Sequence, residues 1–590
     1  MKKPAFKKRS KAADEPLGPA DDTFGGAEGT DGPGAYGSTG AADPGSRGGS
    51  FGGGSGGTKT TQSLLAAAAV LAVVFGIAEL RPPAAPAGAD QGAAASAQVE
   101  RTAVVCPQPL QSLTGSTSLT AYTPPGGAAG EGAAAGAGWI SDAAAPATPP
   151  SAAPSAAPSS APPSSAPPSS APAPTATGKP AADKDAAPAD ARLTLAKPGT
   201  PVVAPAANGD TAPGTGAVAT GAFAPGFTVT QTTTVTEQRG LGLSGITCTP
   251  AGTSFWFAGA STAENRTDYV SLVNPEATAA VVDIKLYGDK GLIENDAANG
   301  ITVAPGSSQS ILLPTISKGQ VADLAVHVVA RSGRVGAALH AADGNKGADW
   351  VPASAEPAPT QVMPGLPADT AGARLVVWAP PEDDADLKIQ LSGKNGWFTP
   401  AGNESIHVKA GMVASVDLGK VTRDEVAGLR VSPSDDKHPT PVVAGLRVDR
   451  AAQNGKSDAA WLAGTVPVGA RATVADNRGG GASTLFLTST GEAATVRVTA
   501  SAGSGGGTPA TKEVQLPAGG TVALPAPEPA GLKDTFALTV ETVSGGPVAA
   551  ARMLAITTKD VPMFTVQSLR DDRSTVKVPQ AAQDPGIVLR

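Results

Sequence analysis

Four histidines, two cysteines and a few aromatic side chains are the groups in this chain best suited to chemistry. His327, His340, His407 and His438 form no HxH or HxxxH pair, the spacings at which two imidazoles on one element reach a single metal ion. His327 and His340 are expected on adjacent strands facing one another, but two imidazoles alone do not make a zinc site. No GxSxG elbow is present to raise a serine nucleophile. The acidic clusters Glu382–Asp384/Asp386 and Asp435–Asp436 lack the alternating Asp/Asn ligands and central Gly of a calcium loop, and read as solvated loops. The Gly-rich "NRGGGAS" (Asn477–Ser483) lacks the Gly-Lys-Ser/Thr ending of a phosphate cradle. The expectation is a chain with no catalytic residue, no cofactor and no metal. Aromatics number 22 of 590 residues, too few for a broad carbohydrate-stacking face. Local platforms at Phe255, Trp256 and Phe257, and at Trp397 beside Phe398, remain as binding candidates. Strand alternation turns Trp256 away from its two Phe neighbours, so one face is either exposed or covered by packing.

The cysteines, Cys106 and Cys248, each end a strand-like stretch, "QVERTAVVCP" and "LGLSGITCTP". Neither has a CxxC or a neighbouring His, which disfavours redox catalysis and zinc. One disulfide is the economical reading for an exported pair with matching flanks, two buried free thiols the alternative.

The elements that must carry these residues recur. "RVGAALH" (Arg334–His340), "PVVAGLR" (Pro441–Arg447) and "PVAAAR" (Pro547–Arg552) place Val335, Val442 and Val548 at intervals of 107 and 106 residues. Upstream, "ITVAPGSSQSILLP", "IHVKAGMVASVDLG" and "VQLPAGGTVALP" set Gly306, Gly411 and Gly519 in turns between paired strands. The hydrophobic period is close to two, with β-branched residues between Gly, Pro, Asn and Asp turns, which is the pattern of antiparallel β-sandwiches. Trp350 and Trp461 close successive repeats at similar places and are expected to anchor one repeat on the next. Three sandwiches follow: 226–366, 367–467, and 468–590 with closing strands at the C-terminus. Strands at 98–123 are expected to start the first of them.

Gly (73) and Pro (55) concentrate in the first 225 residues and mark disorder there. Residues 1–58 read as a disordered cytoplasmic tail, and 124–225 as a Pro/Ala/Ser/Gly-rich insertion between the cysteines. Its centre at 145–175 favours extended polyproline II. Between Lys59 and Glu79 lie 19 uncharged residues, about 28 Å of helix, so 60–80 is expected to be a transmembrane signal anchor. Lys2, Lys3, Lys7, Lys8, Arg9 and Lys11 precede it, which puts the N-terminus in the cytoplasm and the rest outside. A cleaved signal peptide, with small residues at Ala84–Ala89, is the rival reading. The net charge of −7, with no basic block in the strand-rich part, disfavours nucleic acid as a partner.

The stretch "FWFAGASTAENRTDYVSLVNPEATAAVVDIKLYGDKG", followed by the Pro-Gly hairpin and "LAVHVVARSGRVGAALH", resembles an envelope repeat of bacterial surface proteins. With the cysteine pair and the anchor, the ectodomain resembles a family of exported, membrane-anchored proteins of uncharacterised function from high-GC Gram-positive bacteria. The resemblance implies Ig-like sandwiches at the cell surface and transfers no catalytic residue. The second repeat departs from it, with Ala379–Pro380 at the "NP" turn, and the third has Ser489–Thr490 there. The expected whole is all-β: three tandem Ig-like sandwiches behind one N-terminal transmembrane helix, with large disordered segments. Such a protein would be a non-catalytic scaffold or interaction module in surface or wall assembly, held to the cytoplasmic membrane by one helix. The alternative is a glycan- or peptidoglycan-binding surface protein; an envelope protein and a wall glycan both stay open as partner.

Overall fold

A computed structural model of the chain describes residues 95–110, 115–126, 136–142, 187–206, 212–236, 240–344, 346–452 and 455–578. The expected tail at 1–58 and anchor at 60–80 lie outside them, and among the described residues no helix is long and apolar enough to cross a membrane. The described residues belong to one compact unit, Asp90–Arg590. Their regular secondary structure is almost entirely antiparallel strand.

A two-stranded ribbon pairs β1 (Ala95–Gln98) with β36 (Thr575–Val578). Among the described residues, four sandwiches lie between these ends, where three were expected. The first holds β2 (Arg101–Cys106), β3 (Gly115–Tyr122), β4 (Gly138–Asp142), β5 (Leu193–Thr194), β6 (Val202–Pro205), β7 (Thr215–Thr220), β8 (Thr228–Val235) and β9 (Gly242–Thr247). The second holds β10 (Ser254–Ala260), β11 (Tyr269–Asn274), β12 (Ala280–Gly288), β13 (Gly291–Ile293), β14 (Ile301–Val303), β15 (Ser307–Leu312), β16 (Leu324–Ser332), β17 (Gly336–Ala342) and β18 (Ala348–Val351). The third holds β19 (Gln361–Leu366), β20 (Thr370–Trp378), β21 (Ala385–Gly393), β22 (Gly396–Phe398), β23 (Ser405–Val408), β24 (Val413–Asp417), β25 (Ala427–Pro433), β26 (Val443–Arg450) and β27 (Ala459–Ala463). The fourth holds β28 (Arg471–Asn477), β29 (Ser483–Ser489), β30 (Ala494–Ala500), β31 (Ala510–Leu516), β32 (Thr521–Pro525), β33 (Phe536–Gly545), β34 (Val548–Thr558) and β35 (Val561–Leu569).

All four share one topology. Their sheets run β2-β7-β4-β5 with β6-β3-β8-β9, β10-β16-β12-β13 with β15-β11-β17-β18, β19-β25-β21-β22 with β24-β20-β26-β27, and β28-β33-β30-β31 with β32-β29-β34-β35. In the second and third, an extra strand (β14, β23) pairs with the inner strand β12 or β21. Alternation dictates the layering: in β30, Val496 and Val498 are buried in the core while Arg497 between them faces outward to Glu513.

The expected reading of 124–225 as one insertion is corrected here. Strands β4 to β7 fall inside it and complete the first sandwich, and β8 and β9 belong there too, not to the repeat assigned to 226–366. The Pro-rich centre at 145–175 lies outside the described residues. The expected closing strands at the C-terminus are present. "MFTVQSL" is the end strand of the fourth sandwich, and "STVKVP" supplies β36, which pairs just upstream of the Cys106 strand.

The sandwiches close on themselves. Their last strands pack in a cycle, β9 on β18, β18 on β27, β27 on β35, and β35 on β9. A second set of contacts places the first strand of one sandwich against the penultimate strand of the next: β10 on β26, β19 on β34 and β28 on β8. This explains the small residues of the repeated motif. At Gly445 in β26, a Cβ would stand 2.2 Å from the Ala258 carbonyl oxygen of β10, so only glycine lets the two backbones meet.

Candidate functional site

Buried carboxylates and other polar side chains gather at the axis of this ring, where the four last strands converge. Asp458, immediately before β27, is buried there. Its Oδ2 accepts the backbone N–H of Leu243 (3.0 Å) in the first sandwich and of Phe564 (3.0 Å) in the fourth. Its Oδ1 accepts Ala348 N–H (3.3 Å) in the second and Ala459 N–H (2.9 Å) beside itself. One carboxylate thus ties together all four sandwiches. Burial pushes its carboxyl up to about 7, against the pull of the four N–H donors, which favour the charged form.

Asp349, in β18, is the second axial carboxyl. Its Oδ1 accepts Gly245 N–H (2.9 Å) from the first sandwich and Trp350 N–H (2.8 Å). Burial, aided by the Asp458 charge, raises it well above the usual range. Around the axis the next-to-last strands present Gln231, His340, Arg447 and Arg552, paired across the ladder with Ile246, Trp350, Trp461 and Gln567. Arg447 donates to Asp343 and Asp449 and lies 5.5 Å from the Trp461 ring centre, and Arg266 lies 5.4 Å from it. Arg552 is fully buried and donates to the Ala475 carbonyl (3.2 Å); desolvation brings it down to about 10.

Trp461 is the anchor between repeats that the sequence leads one to expect. Its indole N–H donates to the Gly259 carbonyl (3.2 Å), and its ring joins the core of the preceding sandwich. Gly259 sits at a register shift in β10 with φ +106, a backbone that keeps room for the indole. Trp350 packs likewise against Leu110 and Val235 of the first sandwich.

The aromatic binding candidates fall elsewhere. Phe257 is inside the second core. Trp256 is buried at the joint of the second and third sandwiches, stacked on His327 (3.7 Å between ring centres) and tilted against Trp378 (4.3 Å). Phe255 is half-buried. Trp397 is half-buried beneath Arg430 (4.1 Å) and against Gly519 of the fourth sandwich. Packing therefore covers both faces of the Phe255–Phe257 strand to a large degree, and Phe398, 44% exposed, is the accessible aromatic beside Trp397. His327 and His340 do not face each other: they lie in opposite sheets, one bonded to Ser254 and the other to Ser244. Burial lowers them to about 4 and about 3. His407 pairs with Asp386 (2.8 Å) across the exposed face of strands β23 and β21, and among the described residues no group of three or more His, Cys, Asp or Glu side chains is arranged to hold a metal.

Cys106 and Cys248 form a disulfide within the first sandwich, joining the ends of β2 and β9. Two open spaces of about 450 Å³ each lie between sandwiches. One is a groove shared by the first, second and fourth; the other is a cleft of the second and third where Arg266, Arg374 and Arg447 each face a carboxylate of their own.

The chain belongs to a family of unknown function (DUF5719), matched over residues 203–527. The match starts in the first sandwich and runs into the fourth, so the family is defined across sandwich boundaries. No curated protein and no solved structure matches the chain.

Sequence reasoning passed over Asp349, Asp458 and Arg552. The available signal was an acidic residue one or three positions before a tryptophan expected to be buried, "DW" and "DAAW", and an arginine ending two of the three repeated motifs.

Proposed function

We propose that this protein is a non-catalytic, membrane-tethered envelope protein that presents four Ig-like sandwiches outside the cell as one scaffold. The observation that carries this reading is the use of its chemistry-bearing side chains. Asp458, Asp349, Arg447, Trp256, Trp350 and Trp461 are all committed to contacts between sandwiches. The 19 uncharged residues behind a Lys-rich start support a signal anchor with the N-terminus inside. The disulfide fits an oxidising compartment outside the cytoplasm. The similarity to exported proteins of high-GC Gram-positive bacteria points the same way. A glycan-binding role finds less support, because the indole faces of Trp256 and Trp461 are covered.

A tag placed at Thr200, in the turn between β5 and β6, tests the topology. The reading expects labelling by an impermeant reagent in unbroken cells, and protection of that tag would overturn it. For the scaffold role, crosslinking in intact cells should capture envelope proteins reproducibly. Retention of the purified protein on cell-wall glycan, with no protein captured, would favour the alternative.

A further inference from the structure

We propose that the first sandwich is a hinged body docked on a rigid arc made of the other three, with the β1–β36 ribbon as its clasp. The cores carry the argument. The core of the second sandwich includes Ala459 and Trp461 of the third, and the core of the third includes Phe486, Ala551, Phe564 and Val566 of the fourth. Sandwiches two to four therefore share continuous apolar interiors. Among the described residues, the core of the first holds only its own side chains, and that of the fourth takes none from the first. Their joints are made instead by small separate clusters: Trp350 with Leu110 and Val235, Val105 with Val273, Leu243 with Leu554 and Met563, and Tyr122 with Ala475.

Polar chemistry marks the same joints. Thr230 and Gln231 of β8 and Gln567 of β35 are buried with no hydrogen-bond partner among the protein atoms described, and Thr232, Thr565 and Asp349 are polar groups buried beside them. Around Gly245 they crowd together: a Cβ there would stand 2.9 Å from Thr565 Oγ1 and 3.2 Å from Gln567 Nε2. Buried groups of this kind cost stability unless hydrated. An interface rich in them gains when it opens to water, whereas the Trp461 joint loses. The groove of about 450 Å³ between the first, second and fourth sandwiches lies at this joint. Opposing the opening are the Asp458 and Asp349 bonds to Leu243 and Gly245, the Ser244–His340 and Gln108–Ser310 bonds, the Arg471 bond to the Pro225 carbonyl, and the clasp. Covalent continuity to the second sandwich at 249–253 supplies the hinge. The disulfide keeps the body intact while it swings, because both its cysteines lie within the first sandwich. Opening would bare the edges of β9 and β35 at the axis.

Amide hydrogen exchange on the full-length chain in low urea tests this. The N–H groups of Leu243 and Gly245, bonded only across the joint, should exchange about tenfold faster or more than the β27 amides, a factor equal to a small free-energy difference. The amide of Cys248, bonded to Val229 O within the first sandwich (2.8 Å), should stay protected. Breaking the clasp with V576P/K577P removes a ladder donor whichever residue supplies it, and should speed Leu243 and Gly245 by about tenfold again with β27 unchanged. Equal rates at Leu243, Gly245 and β27 in the unmodified protein would overturn the proposal. So would Cys248 exchanging together with Leu243, which would mean that the sandwich unfolds and does not swing. The unmodified comparison stands alone if the double-proline chain fails to fold.

Discussion

The joint between the second and third sandwiches and the joint between the fourth and first unite copies of one topology by different means. At the former, Trp461 enters the neighbour's core, Trp256 packs at a tilt against Trp378, and Arg447 pairs with Asp343 across the boundary. At the latter, a leucine and a tyrosine make small contacts, and amides and hydroxyls fill much of the rest. The comparison teaches that a shared fold does not impose shared cohesion. The side chains that cross each boundary set it: Trp461 enters the core of the second sandwich, and Phe564 and Val566 enter that of the third, whereas Trp350 forms only a separate cluster with Leu110 and Val235. At the fourth–first joint Gln567 faces Arg552 and leaves polar atoms to be hydrated.

Reducing the Cys106–Cys248 bond should show the largest effect. The sequence separation of 142 corresponds to about 4–5 kcal/mol in the chain-entropy account. That loss should fall on the first sandwich, splitting urea unfolding into two transitions, with the later one unmoved. A single transition shifted as a whole would erase the distinction between the two joints. Next, Trp461→Ala should cost about 3–5 kcal/mol of global stability, as for other fully buried tryptophans. Trp350→Ala should instead speed exchange at the first sandwich's joint and leave the arc transition near its original midpoint. Equal global losses from both would break the comparison. Asp458→Asn then sharpens it. The amide nitrogen must face two N–H donors whichever way it turns, so the change should cost about 3 kcal/mol, read by urea midpoint. Its first consequence should be faster exchange at Leu243.

Much of this architecture could be read from residues alone, and the failures have physical causes. The period near 106 residues, the alternating strands, the Gly306, Gly411 and Gly519 turns and the paired cysteines all encode local geometry, so they were legible. A fourth turn of the same kind was missed. "LTLAKPGTPVVAP" (Leu193–Pro205) carries Gly199 at φ +84, 107 residues before Gly306, matching the later intervals of 105 and 108. It escaped notice because it follows a Pro-rich stretch whose composition dominates the window. The ring itself was not legible. Asp458 meets Leu243 across 215 residues and Phe564 across 106, contacts that no local pattern announces. The aromatic strand misled for a related reason. Alternation tells which way Trp256 points, but not that a neighbouring sandwich supplies Trp378 to cover it.

The finest test concerns pH at the joint of the first and second sandwiches. His340 there bonds Ser244 and packs against Tyr269 and Trp350, and burial together with the Arg266 charge takes it to about 3, from about 6.5 when unfolded. Between those values the folded chain binds fewer protons than the unfolded one, so stability falls as pH drops from 6.5 toward 3. Asp458 works the other way. Its folded value of about 7 exceeds the unfolded one of about 3.9, so acidification from 7 toward 4 adds stability through that group. Asp349, also raised, acts in the same sense. The two trends partly cancel in the unmodified chain, and only a difference between proteins isolates the histidine. His340→Gln keeps the carboxyl groups and removes the imidazole. Its stability should therefore decline less steeply on acidification, by about 1.4 kcal/mol per pH unit between pH 6 and 4, the slope of one proton. Superimposable pH profiles would show that the joint admits water around His340 even when closed. The first sandwich would then be docked more loosely than its contacts imply.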